Sequence, residues 1–122
     1  MSEDKRVEQA MLDFIKGGDN RDVTLLNTVL HPEFRITNNG FMGTPGITII
    51  DKQQYLSNIE KGIFGGLPRT ILIESIDVTG TIAMVKVRLE SKENRFVSYN
   101  LFVLDLDNEW RLINNHAVVV AK

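Results

Sequence analysis

A change of side-chain rhythm near position 69 constrains this chain more than any other feature. Before it, apolar residues recur at helical spacing; after it, they alternate with polar ones at a period of two. Val7, Ala10, Met11, Phe14 and Ile15 fall at i, i+3, i+4, i+7 and i+8, one face of an amphipathic helix. Ser2 is placed to cap its start, Glu3 and Asp4 suit the positive end of the dipole, and Gly17-Gly18 supplies a stop. Asp19 or Asn20 then caps a short second helix through Val23, Leu25, Leu26 and Val29, ending at His31-Pro32.

Phe34 and Ile36 alternate with Arg35 and Thr37 as a short strand, and Asn38-Asn39-Gly40 marks a turn. The stretch from Phe41 to Gly46 reads as irregular chain. Asp51 as N-cap and Gln54 three residues later form a capping-box pattern, with Ile50 and Tyr55 placed as its hydrophobic staple. That helix carries Tyr55, Leu56 and Ile59 and ends near Gly62.

Beyond Arg69, Ile71 to Thr79 is rich in β-branched residues, and Ala83, Val85, Val87 and Leu89 alternate with polar neighbours. Phe96 to Leu106 is almost wholly apolar, and Trp110 to Val120 follows the Asp107-Asn108 turn signal. Helices gathered first and strands gathered last imply an α+β class. The expected architecture is N-terminal helices packed on a strongly curved mixed or antiparallel sheet, forming a cone with an internal pocket.

The chain has 122 residues, which suits one domain over 1–122. Such a domain buries roughly two thirds of its unfolded surface. With 43% apolar and 25% charged residues and a net charge of −2, there is no basic stripe for a nucleic acid. Without cysteine, disulfides, thiolate metal sites and thiol catalysis are excluded. No segment matches a membrane span or a leader peptide, so the expected location is cytoplasmic.

Two passages carry a family resemblance. One is Leu30-His31-Pro32-Glu33-Phe34, leading into a short strand, a glycine-rich gap and the Asp51-capped helix. The other runs from Ile76 through Gly80 and Ala83 to Val85, then Tyr99 to Leu106, then Asp107-Asn108-Glu109-Trp110-Arg111-Leu112-Ile113. Together they resemble the nuclear transport factor 2-like superfamily, with its cystatin-like α+β cone. The nearest branch is the small bacterial proteins labelled "putative lumazine-binding" or polyketide-cyclase-like. Steroid isomerases of this fold keep a general-base aspartate at the end of the first strand and a tyrosine on the first helix. The matching places here hold Asn38 (or Asn39) and the apolar Met11, Phe14 and Ile15. Polyketide cyclases place an acid on the penultimate strand, where this chain has Tyr99 or Leu101. The resemblance therefore implies the fold and leaves the chemistry open.

A two-residue turn at Asp107-Asn108 pairs Tyr99 with His116, Leu101 with Asn114 and Val103 with Leu112. Period two then puts Trp110, Leu112, Asn114 and His116 on one face with Val97, Tyr99 and Leu101. Taken as the face under the helices, it is an apolar cup with a few polar groups, and a three-residue turn would shift the pairing. The expected ligand-binding residues are Asn38, Tyr55, Tyr99, Trp110, Asn114 and His116. His116 is the candidate general base, since histidine exchanges protons near neutrality; otherwise it is a strand residue bonded to Tyr99. No cofactor is implied, and His31 and His116 have no metal-ligand spacing. Asp105-x-Asp107-x-Glu109 lacks the glycine and the final glutamate of a calcium loop. Phe64 and Leu67 suit either a lid over the cavity or a dimer contact. Phe102, Leu104 and Leu106, with Ile113 and Val119, are expected on the opposite face, whose apolar character calls for a homodimer. The expected role is a homodimeric binder of a small, largely apolar molecule. An isomerase, dehydratase or cyclase using His116, and a protein–protein adaptor, are the alternatives.

Overall fold

The computed structural model describes residues 2–40 and 43–122; Phe41 and Met42, read above as irregular chain, lie outside the described residues. Among the described residues, three helices and six strands follow in the order α1 (Glu3–Asp19), α2 (Val23–Val29), β1 (Leu30–Asn39), β2 (Ile47–Asp51), α3 (Lys52–Glu60), β3 (Thr70–Thr79), β4 (Ile82–Glu90), β5 (Asn94–Leu104) and β6 (Trp110–Ala121). The strands form one sheet in the order β2-β1-β6-β5-β4-β3. All neighbours are antiparallel except β1 and β6, which run parallel. The class is α+β with helices on a six-stranded mixed sheet, and four of the six strands follow the change of rhythm at position 69. Among the described residues, no helix is long and apolar enough to cross a membrane.

The apolar stripe of α1 is buried as its spacing predicts, and Ser2 caps it by accepting from the Lys5 amide. The helix does not stop at Gly17-Gly18, however; it continues to Asp19. Gly17 is used for close packing. A Cβ there would lie 2.7 Å from a Leu26 methyl, so its absence lets α2 seat directly on α1. The chain turns at Arg21, with φ of 51°, and Asp22, not Asp19 or Asn20, caps α2 through the Leu25 amide. β1 then starts at Leu30, earlier than expected. Pro32 falls where its register with β6 is irregular, between Leu30 and Arg35, the kind of place a strand tolerates a missing N–H. β2 was not visible in the sequence rhythm, because its Ile47 and Ile49 point outward at a sheet edge. α3 begins with the expected capping box between Asp51 and Gln54.

The core lies between the helices and one face of the sheet. Val7, Met11, Phe14 and Ile15 of α1, Leu26 of α2 and Ile59 of α3 meet Phe34, Val85, Val87, Phe102 and Leu112 from the strands. At one end, Trp110 closes the core: its indole N–H donates to a Glu3 carboxylate oxygen at 2.7 Å. That bond and Arg6 hold the Glu3 carboxyl below the usual carboxylate range. Arg6 also donates to the Asn108 carbonyl. The start of α1 is thereby pinned to the β5–β6 hairpin.

Candidate functional site

The β5–β6 hairpin decides which side chains face the helices. Its loop is one residue longer than a two-residue turn: the Asp105 amide donates to the Glu109 carbonyl, and Leu104 pairs with Trp110. Near the loop, Leu112 therefore faces Phe102 and Val103 faces Arg111, not Leu112. A bulge at Ile113 then inserts one extra residue in β6. Beyond it, Leu101 pairs with Asn114 and Tyr99 with His116, as expected.

The pairing is right but the face is not. Because the extra residue changes the parity of β6, Trp110 and Leu112 share the inner face with Asn115, Ala117 and Val119. Asn114 and His116 go to the outer face with Val97, Tyr99 and Leu101. Tyr99 is 47% exposed and Leu101 46% exposed. Phe102 and Val119, expected outside, are buried on the inner side.

Between the inner face and the helices lies a cavity of about 450 Å³. Met11, Phe14, Ile36, Tyr55, Leu89 and Phe96 are part of its apolar wall. Of the expected site residues, Asn38 and Tyr55 line it. Trp110 is buried away from it against Glu3, Asn114 donates to the Arg35 carbonyl at 3.3 Å, and Tyr99 and His116 stand on the far side of the sheet. The imidazole of His116 has no path through the strands to anything held in the cavity.

The polar floor is built from residues that the sequence reading passed over. One cross-strand row runs Asn38, Ala117, Ser98, and the next runs Ile36, Asn115, Asn100. Asn100 is fully buried; its Nδ2 donates to the Val85 carbonyl at 3.1 Å and to Ser98 Oγ at 3.0 Å. Asn115 Nδ2 donates to Asn100 Oδ1 at 2.6 Å. Asn38 makes no side-chain hydrogen bond among the described residues, and no polar side-chain atom of the floor is both buried and unpartnered. A signal did exist: Ser98 and Asn100 are polar at alternate positions of an otherwise apolar run, which marks the inner side of β5 as the polar one.

At the side of the cavity, Arg69 Nε donates to Asp19 Oδ1 at 2.6 Å, and its guanidinium lies 5.1 Å from the centre of the Phe96 ring. This pair joins the end of α1 to the start of β3. Tyr55, in a ring cluster with Phe14, Phe34 and Phe64, has its hydroxyl beside Gly18. Burial pushes that phenol well above its ordinary range, so it remains a neutral donor.

The mouth is framed by the segment after α3. Arg21 donates to the carbonyls of Gly62, Phe64 and Gly65 at 3.1–3.3 Å, and the Gly66 amide donates to the Gly18 carbonyl. Gly65 is obligatory here. It has φ of +76°, and a Cβ would lie 2.2 Å from the Gly18 oxygen. The clamp puts Ile63, Phe64 and Leu67 along the cavity lining.

A family described as "putative lumazine-binding" matches residues 2–116. Among solved structures, a nuclear transport factor 2-like protein of unknown function from Shewanella baltica superposes with a TM-score of 0.81 at 16% identity, over 94% of this chain and 91% of that one. A nuclear transport factor 2-like protein from Cytophaga hutchinsonii gives 0.78 at 17% identity, over 100% of both chains. A ketosteroid isomerase-like protein from Erwinia carotovora also gives 0.78, at 10% identity, over 97% and 96%. At these identities the likeness is one of fold. No curated protein matches the chain in sequence. The chain belongs to the family described as "putative lumazine-binding" and has the nuclear transport factor 2-like fold.

Proposed function

We propose that this chain is a binding protein for a small, largely apolar molecule held between the helices and the inner sheet face. The observation that carries this reading is the cavity itself, about 450 Å³ of space with an aromatic wall and a few polar atoms left unpartnered. That is the usual make-up of a small-molecule site, where apolar area supplies affinity and sparse polar groups fix orientation. Lumazine, named in the family description, is a first ligand to try. Binding without proton abstraction is favoured, because His116 lies outside the cavity, the Asp19 carboxylate is held by Arg69, and the remaining lining acid, Glu93, is exposed on the turn between β4 and β5.

The protein works as a homodimer through the outer sheet face. Ile49, Tyr99, Leu101 and Val118 leave large apolar areas exposed there, flanked by Leu72 and Ile82 toward β3. The charged groups on this face are paired: Glu74 bridges Lys86 and Arg88, which lie beside Tyr99 and Val97, and Glu90 bridges Arg95 and Lys122. An exposed apolar face whose charges are already satisfied has the make-up of a protein interface. Native mass spectrometry of gently purified protein tests both parts. Dimer mass with a retained small molecule, or a dimer that takes up lumazine or an apolar probe, supports the reading. A monomer with no uptake of any ligand contradicts it.

A further inference from the structure

The polarity of the cavity floor is fixed by one buried carbonyl. The Val85 oxygen can only accept, so the Asn100 group 3.1 Å from it must be the amide nitrogen. Its second N–H is directed at Ser98 Oγ, and its oxygen is then left to accept from Asn115. Asn115 must therefore turn its own nitrogen toward Asn100 and its Oδ1 away from it. Ser98, whose oxygen already accepts, keeps its hydroxyl hydrogen free to donate. Both residues touch the same Asn100 carboxamide from diagonal positions on β5 and β6, and both line the cavity.

We infer that Ser98 and Asn115 form a preset donor–acceptor pair for the N–H/C=O edge of an uncharged, planar heterocyclic lactam, an inference that rests on the small-molecule reading above. Ser98 donates to the ring carbonyl, and Asn115 Oδ1 accepts from the neighbouring ring N–H. Three observations favour a flat, neutral ring over other polar ligands. Ala117 leaves a shallow hollow between Asn38 and Ser98, which are two strands apart, about 10 Å along the sheet. Opposite lie the rings of Phe14, Tyr55 and Phe64, with Tyr55 tilted by 36° and 33° to the other two, a surface suited to stacking. The guanidinium in the lining, Arg69, already faces Asp19, and the third charged lining residue is the acid Glu93, so an anion gains nothing. Asn38, able to donate or accept, reads a second edge of the same ring.

The test uses displacement of N-phenyl-1-naphthylamine, an uncharged apolar fluorophore, by quinazolin-4(3H)-one and by its 3-methyl derivative. Methylation removes the N–H and leaves the ring shape nearly intact. The expected result is displacement by the lactam and about tenfold or greater weakening on methylation, since an unmet buried acceptor is costly. Ser98→Ala is expected to weaken the parent lactam similarly, whereas His116→Ala, outside the cavity, is expected to leave it within about twofold. Equal affinity for the two quinazolinones, or a fluorophore that binds while neither displaces it, overturns the lactam inference and leaves the cavity reading standing. Failure of the fluorophore and both quinazolinones to bind contradicts the cavity reading as well.

Discussion

Asn115 donates its side-chain nitrogen to Asn100 Oδ1 at 2.6 Å across β5 and β6, and this bond orients the one carboxamide that faces the cavity from the centre of the sheet. Asn100 never reaches the cavity lining. It acts as a relay between the Val85 carbonyl and the two residues that do.

Replacing Asn100 by leucine should therefore be costly although the residue is about the right size. The Val85 carbonyl, Ser98 and Asn115 would each lose a partner in a buried setting, at about 1–3 kcal/mol for an unmet group. Urea denaturation should show a destabilisation of at least about 2 kcal/mol, with the slope unchanged. A change within about 0.5 kcal/mol would show that the network contributes little.

Gly65→Ala should loosen the rim of the cavity. The substitution combines a positive φ with a Cβ 2.2 Å from the Gly18 oxygen, so the segment from Gly62 to Gly66 must shift away from α1. Overpacking of this kind costs about 1–3 kcal/mol. Hydrogen exchange should report faster exchange at the Gly66 amide, which donates to Gly18. Unchanged protection there would show that the clamp is not rigid.

Leu101→Glu should disperse the proposed dimer and spare the cavity. Leu101 sits at the centre of the outer face, opposite Met84 and Asn114. Light scattering coupled to size exclusion should give monomer mass for the variant and dimer mass for the parent protein. His116→Ala, on the same face, should leave ligand affinity within about twofold, because nothing in the cavity touches it. Loss of cavity binding in His116→Ala would contradict the face assignment.

Acid should release one specific ion pair. Paired hydrogen bonds from Arg111 hold the Asp107 carboxyl down to about 2. A carboxylate depressed in the folded state stabilises the fold above its unfolded pKa, and that contribution fades as pH falls through the folded value. The window is therefore about pH 4 down to pH 2. Carbon-detected NMR titration should give a midpoint near 2 for Asp107 in the parent protein. In Arg111→Gln the midpoint should return to the ordinary aspartate range; an unmoved midpoint would assign the shift to another cause.

How far the sequence was readable follows from where local rules had competition. Asp51 and Gln54 form their capping box because both partners lie within one turn, so four residues carry the whole signal. The rhythm of β4 was equally plain, with Ala83, Val85, Val87 and Leu89 all inward. Gly17 and Gly18 misled because close packing against Leu26 and Tyr55 outweighs their tendency to end a helix. The candidate site failed at a single point. The loop residue beyond a tight turn and the bulge at Ile113 offset each other in register, so Tyr99 does meet His116. They do not offset in parity, and the inward set becomes Ser98, Asn100, Asn115 and Ala117. A bulge has no local composition signal here, since Ile113-Asn114-Asn115 reads as ordinary strand.

The most direct measurement fills the hollow above Ala117 and asks whether the ligand still fits. Ala117 lines the cavity between Asn38 and Ser98, so leucine there projects into empty space. Fluorescence titration of N-phenyl-1-naphthylamine into Ala117→Leu should show at least about tenfold weaker binding than the parent protein, with Tm equal or higher. Unaltered affinity in a folded variant would mean that the probe binds elsewhere and that the cavity is not the binding site.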